Sequence, residues 1–158
     1  MRIYLLRHGV AEDGFGKRDS ERALTEDGKK KLRDLLGVAA RTDVRPSLVM
    51  TSPYRRALET ARIAIDVLGY QGPLIESTSL TPDSSPQSAW SDVRIHSSEH
   101  SVLLVGHEPL FSSLSAFLLG HPDLSIDFKK GALLCVELHS VRAQPSGILK
   151  WFLTPKLT

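Results

Sequence analysis

The sequence predicts an α/β protein of three layers, with helices on both faces of a central sheet that is at least partly parallel. Two continuous apolar runs, Ile3–Leu6 and Val102–Val105, carry no polar alternation. Strands covered on both faces read this way. Between and after them come stretches with helical spacing, so strand and helix patterns alternate along the chain. With 158 residues the chain is long enough to bury a sizeable core, and it is read as one domain, 1–158.

The first strand, Ile3–Leu6, runs straight into Arg7-His8-Gly9, where the glycine is expected to permit a backbone turn. Residues 10–24 are polar, contain Gly14 and Gly16, and read as an excursion loop. Thr25 is the expected cap of a first helix, with Glu26 and Asp27 in the first turn where the helix dipole favours them. Its buried face is Leu32, Leu35, Leu36 and Ala39, and it ends near Thr42. Lys29-Lys30-Lys31 lies on that helix and reads as a solvated face.

Leu48-Val49-Met50 follows as a second strand. Ser52-Pro53 then predicts a helix start, serine as cap and proline at the first position. Ala57, Leu58, Ala61, Ala64, Ile65 and Leu68 form its apolar face, and Gly69 stops it. Residues 70–88, with Gly72, Pro73, Pro82 and Pro86 among many serines, read as irregular; a weak helix is expected from about Pro86 to Ile95. After Val102–Val105, Gly106-His107-Glu108-Pro109 turns into a helix with Leu110, Leu114, Phe117 and Leu118 on one face. Ala132–Leu138 and Ile148–Leu153 read as two late strands joined by a turn around Pro145-Ser146-Gly147.

Three strands thus end in turns that carry Arg7 and His8, Arg55 and Arg56, and His107. In open α/β sheets ligands bind outside the carboxyl ends of the strands. Helices starting at Pro53 and Pro109 would aim positive N-termini and free N–H groups at the same place. A charged pair ending a buried strand needs a partner or ligand, and guanidinium forks match phosphate oxygens. Neighbours on a helix diverge by about 100°, so only one of Arg55 and Arg56 faces the cleft. His96, His100, His121 and His139 lie in contexts that suggest no role.

The composition narrows the alternatives. A formal charge of +2 gives no footprint for nucleic acid or an anionic membrane, and no stretch approaches ~20 apolar residues. The N-terminus carries no leader pattern, and Cys135, the only cysteine, sits in an apolar run as a core thiol. A reducing cytoplasm is the expected compartment. The sequence holds no Walker-type glycine loop and no Gly-x-Ser-x-Gly elbow. Cys135 and Arg142 are seven apart, where a Cys-x5-Arg phosphatase loop needs six. Carboxylates do not flank the histidines at ligand spacing except at Glu108, so no metal and no other cofactor is expected.

Taken together, Arg7-His8-Gly9, Ser52-Pro53-x-x-Arg56-Ala57-x-x-Thr60-Ala61 and Gly106-His107-x-Pro109 resemble the histidine phosphatase superfamily, the phosphoglycerate-mutase-like group. Within it the chain resembles the short SixA-type phosphohistidine phosphatases, through Arg22-Ala23-Leu24-Thr25-x-x-Gly28, Leu80-x-Pro82, the late Trp151 and its length. The resemblance implies a three-layer fold with a mostly parallel sheet and no metal. It implies His8 as a nucleophile forming a phosphohistidine intermediate, with Arg7, Arg56 and His107 clamping the equatorial oxygens. It places the arginine of the motif at position 56, leaving Arg55 outside, and suggests Arg22 as a further phosphate contact. Arg7 and Arg56 are expected to hold His8 unprotonated, with a backbone carbonyl near Gly9 fixing its tautomer.

The chain departs from larger members at the general acid, since Pro82 follows Leu80-Thr81. Asp83, or Glu76, is the candidate in its place. A weak acid disfavours alkyl phosphates, whereas a ring-protonated phosphohistidine leaves as neutral imidazole. The short middle segment predicts an open groove that admits a protein side chain. The expected substrate is therefore phosphohistidine on a protein. The alternatives are a small-molecule phosphomonoesterase on the same site, an idle phosphate-binding module, and a metal phosphatase using His8 and His107.

Overall fold

The structure, a computed structural model, describes residues 1–157. Its elements in chain order are β1 (Arg2–Arg7), α1 (Glu26–Arg41), β2 (Leu48–Thr51), α2 (Arg55–Leu68), β3 (Leu74–Glu76), α3 (Pro86–Arg94), β4 (Ser101–Gly106), α4 (Leu110–Leu119), β5 (Leu133–Glu137) and β6 (Ile148–Leu153). The strands form one sheet in the order β3-β2-β4-β1-β5-β6. The β3, β2, β4 and β1 ladder is parallel throughout, while β5 joins β1 and β6 joins β5 antiparallel. The expected α/β/α layering with a mostly parallel sheet is what folds.

Two cores explain the uninterrupted apolar runs. Ile3 and Leu5 of β1, with Val102 and Leu104 of β4, pack under α3 and α4 around Trp90, Phe111, Leu114 and Phe128. Tyr4 and Leu6, with Leu103 and Val105, face the other way against α1 and α2, meeting Leu32, Leu35, Leu36, Ala57 and Ala61. Successive residues of a strand point to opposite faces, so a strand with a core on each side has no polar position to spare.

Helix starts and stops follow local chemistry. Thr25 caps α1 by accepting from the Gly28 N–H, and Gly69 closes α2 in the left-handed region at φ 68°. Lys29, Lys30 and Lys31 are ion-paired on the solvent side of α1 to Glu26, Asp34 and Asp27. Cys135 is buried in β5. Among the described residues no helix is long and apolar enough to cross a membrane.

The structure corrects the sequence reading in four places. Residues 70–88 are not wholly irregular: β3 lies within them as the outer parallel partner of β2, followed by a 3-10 turn at Thr78–Leu80. Three half-exposed residues at a sheet edge leave no periodicity to read. Helix α2 begins at Arg55 rather than Pro53, and the Ser52 hydroxyl, while accepting from the Tyr54 N–H, is shared with His107. On α4 Phe111 joins the fully buried face, while Phe117 packs against the same core only partly buried. Gly9 is needed for space rather than for a left-handed turn, since a Cβ there would stand 2.6 Å from Leu32 Cδ1.

Candidate active site

β1 leads off towards β2 and β4 towards β5, in opposite directions across the sheet, so their adjacent carboxyl ends form the switch point of the fold. Arg7 and Gly106 are register partners, the His8 N–H donates to Gly106 O at 2.9 Å, and the Ser52 N–H donates to Val105 O at 2.9 Å. His8, His107 and the start of α2 are thereby delivered side by side. The two imidazole centroids lie 5.0 Å apart.

His8 is 5% exposed. Its Nδ1 stands 2.8 Å from Gly9 O, and Arg56 Nε donates to its Nε2 at 3.2 Å. A carbonyl accepts only, so Nδ1 carries the proton and Nε2 keeps a lone pair. Burial pushes the ring's pKa down to about 3, with smaller contributions from Arg56 and Arg7 against the opposing bond to Gly9. Desolvation, ahead of the arginines named in the sequence reading, is the main reason His8 is neutral. The carbonyl expected near Gly9 is that of Gly9 itself.

His107, 1% exposed, has its Nε2 2.8 Å from Ser52 Oγ. That oxygen accepts from the Tyr54 N–H at 3.2 Å, so its own hydrogen is free for the His107 ring. With that hydroxyl donating to Nε2, the His107 proton sits on Nδ1, a buried atom with no hydrogen-bond partner among the described residues. Burial and then neighbouring His8 push the pKa of His107 down to about 2. Tyr54 stands edge-on to His107 at 5.1 Å and lies under the Arg56 guanidinium at 5.3 Å.

Arg7 reaches across from β1, its Nη1 donating to Phe128 O at 2.6 Å. Its Nε is likewise buried and unpartnered among the described residues. Buried donors are nearly always bonded, so the unpartnered Arg7 Nε, on the residue before His8, suits an acceptor-bearing ligand. Arg56, 4% exposed, uses Nε on His8 and turns Nη1 to Asp19 O at 2.7 Å and Nη2 to Asp19 Oδ2 at 3.1 Å. A group bonded to His8 Nε2 would lie against Arg56 Nε.

The remaining candidates lie further out. Arg22 donates to Glu12 O at 2.8 Å and to Asp19 Oδ1 at 3.0 Å, one layer behind Arg56. Arg55 is exposed and paired with Glu59, as its place outside the motif suggested. Asp83 is exposed and accepts from Thr81 Oγ1, and Glu76 is exposed at the end of β3. The N–H expected to be free at the start of α4 is taken at Ser112 by Glu108 Oε1 at 2.6 Å. Among the described residues no group of three or more His, Cys, Asp or Glu is gathered as metal ligands would be.

Three residues at the site were not foreseen in these parts. Asp19 was read as loop, Ser52 as a helix cap, and Thr60 only as a motif position. Thr60 Oγ1 accepts from the Gly9 N–H at 3.2 Å while donating to Arg56 O at 2.7 Å, tying the His8 turn to α2. Its spacing of four from Arg56 was the one available signal. The Arg22 to Gly28 segment is explained by Gly28, where a Cβ would lie 2.3 Å from Val10 O. Thr25 N donates to the same carbonyl, so the loop is laced to α1.

Comparison with known proteins is consistent with this geometry. The family model described as histidine phosphatase superfamily (branch 1) matches residues 3–81, half of the chain. The structure is similar to that of the protein histidine phosphatase SixA complexed with tungstate, at 25% identity and TM-score 0.88 over 99% of each chain. A putative phosphohistidine phosphatase SixA from Agrobacterium tumefaciens aligns at 23% identity and TM-score 0.82, over 98% of this chain and 97% of the other. An alpha-ribazole phosphatase from Shigella flexneri shares the fold at 19% identity and TM-score 0.73, with 98% and 97% covered. No curated protein matches the chain.

Proposed function

The chain belongs to the histidine phosphatase superfamily, branch 1, whose members are phosphatases, and from that premise we propose that it removes phosphate from phosphohistidine on a protein, with His8 as nucleophile. The carrying observation is that His8, its Nδ1 held by Gly9 O, presents Nε2 to the Arg56 guanidinium in a buried place shared with the His107 ring, 5.0 Å away between centroids. His8 Nε2 attacks phosphorus in line, the P–N bond to the substrate imidazole breaks, and that ring leaves with the electron pair. A substrate ring already protonated on its other nitrogen leaves neutral. Water then attacks the phosphohistidine, the bond to Nε2 breaks, the lone pair returns to His8, and both protons of the water leave with the phosphate. Arg7, Arg56 and His107 stabilise charge on the equatorial oxygens.

Three features support the protein substrate. Asp83 is engaged with Thr81 at the surface, so the proton an alkoxide leaving group needs has no donor there. The segment between α2 and β4 is spent on β3 and on α3, which buries Ala89, Trp90 and Val93 in the core rather than closing over the site. The likeness at 25% identity to a protein histidine phosphatase points the same way.

The test is phosphate release with chelator present, from a phosphohistidine-bearing protein and from an alkyl phosphate, by wild type and His8→Ala. Turnover of the phosphoprotein that disappears in the variant is the expected result. Turnover of the alkyl phosphate alone transfers the site to small phosphomonoesters. Phosphate binding without turnover of either makes this a binding module, and loss of activity with chelator makes it a metal enzyme. Full activity of His8→Ala refutes the nucleophile.

A further inference from the structure

Arg56 is held by more than its own helix. Nη1 and Nη2 form the end edge of its guanidinium, and both turn to one residue, Asp19, through the backbone carbonyl and the carboxylate. The Nε that remains points at His8 Nε2. Asp19 is itself fixed: its other carboxylate oxygen accepts from Arg22 Nη1, and Arg22 Nε is anchored on Glu12 O. Gly14 packs against Arg22, where a Cβ would lie 2.5 Å from Arg22 Cδ. A chain of contacts thus runs from the excursion loop through Arg22 and Asp19 to the guanidinium beside the nucleophile.

We infer that Asp19 is a positioning residue for catalysis: it takes the end edge of Arg56, orients the guanidinium plane, and so commits the Nε edge to the phosphoryl group on His8. The geometry favours this over a proton donor, because a carboxylate accepting from two guanidinium groups stays ionised at neutral pH; both bonds lower its pKa against the opposing desolvation. It also favours positioning over simple competition with phosphate. The Asp19 side chain is 55% exposed, so its repulsion of an incoming anion is screened by water, whereas the bonds to Arg56 are directional. Misplacing a catalytic donor by about 1 Å can cost on the order of 10²-fold in rate.

The inference rests on reading Arg56 as a phosphate clamp, and its test separates the two. Kinetics are measured for wild type, Asp19→Asn, Asp19→Ala, Arg56→Lys and the Asp19→Ala, Arg56→Lys double variant, on an aryl phosphate and on a phosphohistidine protein. Rotation about the Arg56 Nε–Cζ bond is followed by nitrogen-15 NMR. Asp19→Ala is expected to lower kcat on the order of 10²-fold with KM unchanged or lower, since a negative charge near the anion has gone. Asp19→Asn, which keeps an acceptor oxygen, retains most of kcat, and Asp19→Ala adds little loss on top of Arg56→Lys. Guanidinium rotation is slow in wild type and fast in Asp19→Ala. Wild-type kcat in Asp19→Ala, multiplicative losses in the double variant, or unchanged rotation would overturn the inference. If wild type turns over neither substrate, the proposed function fails, and the rotation measurement still decides whether Asp19 orients Arg56.

Discussion

Lowering the pH from 7 to 5.5 should destabilise this protein through its two site histidines, and the size of the effect follows from their burial. An imidazole titrates near 6.5 when exposed, and here burial pushes His8 down to about 3 and His107 to about 2. The folded protein requires both rings neutral, so the stabilisation is complete above pH 6.5 and is lost as pH falls towards 3. At pH 5.5 each unfolded ring binds nearly one proton that the folded ring refuses. Integrating from pH 7 gives about 1.3 kcal/mol for each histidine and about 2.5 kcal/mol for the pair. The assay is urea unfolding at both pH values for wild type, His8→Asn, His107→Asn and the double variant. Other titrating groups cancel in the comparison, so each substitution should remove roughly half of the histidine-dependent loss. A double variant with the same pH dependence as wild type would show that the rings titrate normally and would refute burial as the cause of their neutrality.

Arg56→Lys keeps the charge but gives up the bonds to His8 Nε2, Asp19 O and Asp19 Oδ2; kcat on any accepted phosphate should fall about 10²- to 10³-fold, read by steady-state kinetics. Ser52→Ala removes the hydroxyl between His107 Nε2 and the Tyr54 N–H, leaving a buried ring nitrogen unpaired. It should cost about 1–3 kcal/mol in urea unfolding and lower kcat as well. Gly28→Ala places a methyl 2.3 Å from Val10 O, a backbone atom that cannot rotate away. A loss of roughly 1–3 kcal/mol is expected from denaturant midpoints, together with reduced activity, because the displaced segment leads to Asp19.

What could be read from the sequence was whatever is local or repeated. Ile3–Leu6 and Val102–Val105 announced buried strands because each face of the sheet carries its own core, and Thr25 and Gly69 announced helix ends because their backbone requirements are met by few residues. Arg7, His8, Arg56 and His107 were legible as candidates because they sit where a strand pattern breaks into a turn. β3 was not, having only three residues at the sheet edge. The pairing of Asp19 with Arg56 spans 37 residues, and that of Ser52 with His107 spans 55, with no periodicity linking them. Ser52 was legible only in part: its hydroxyl accepts from the Tyr54 N–H, as local capping chemistry suggests, and also meets a histidine brought alongside by the sheet.

The neutral state of His8 likewise needs a fold and not merely a motif. Arginines beside a histidine in a flexible peptide would be screened by water and would shift its titration little. Here the largest effect on His8 is burial, and the arginines add to it only because they are themselves drawn into the same desolvated place. Burial of that kind is supplied by the cores under β1 and β4, not by the Arg7-His8-Gly9 segment. The Arg56 guanidinium and two neutral rings then coexist within a few ångströms, and the carboxylate bonded to Arg56, that of Asp19, stands at the exposed rim rather than against His8. The interior is left with donors and a lone pair, which is the complement of a phosphoryl group under attack.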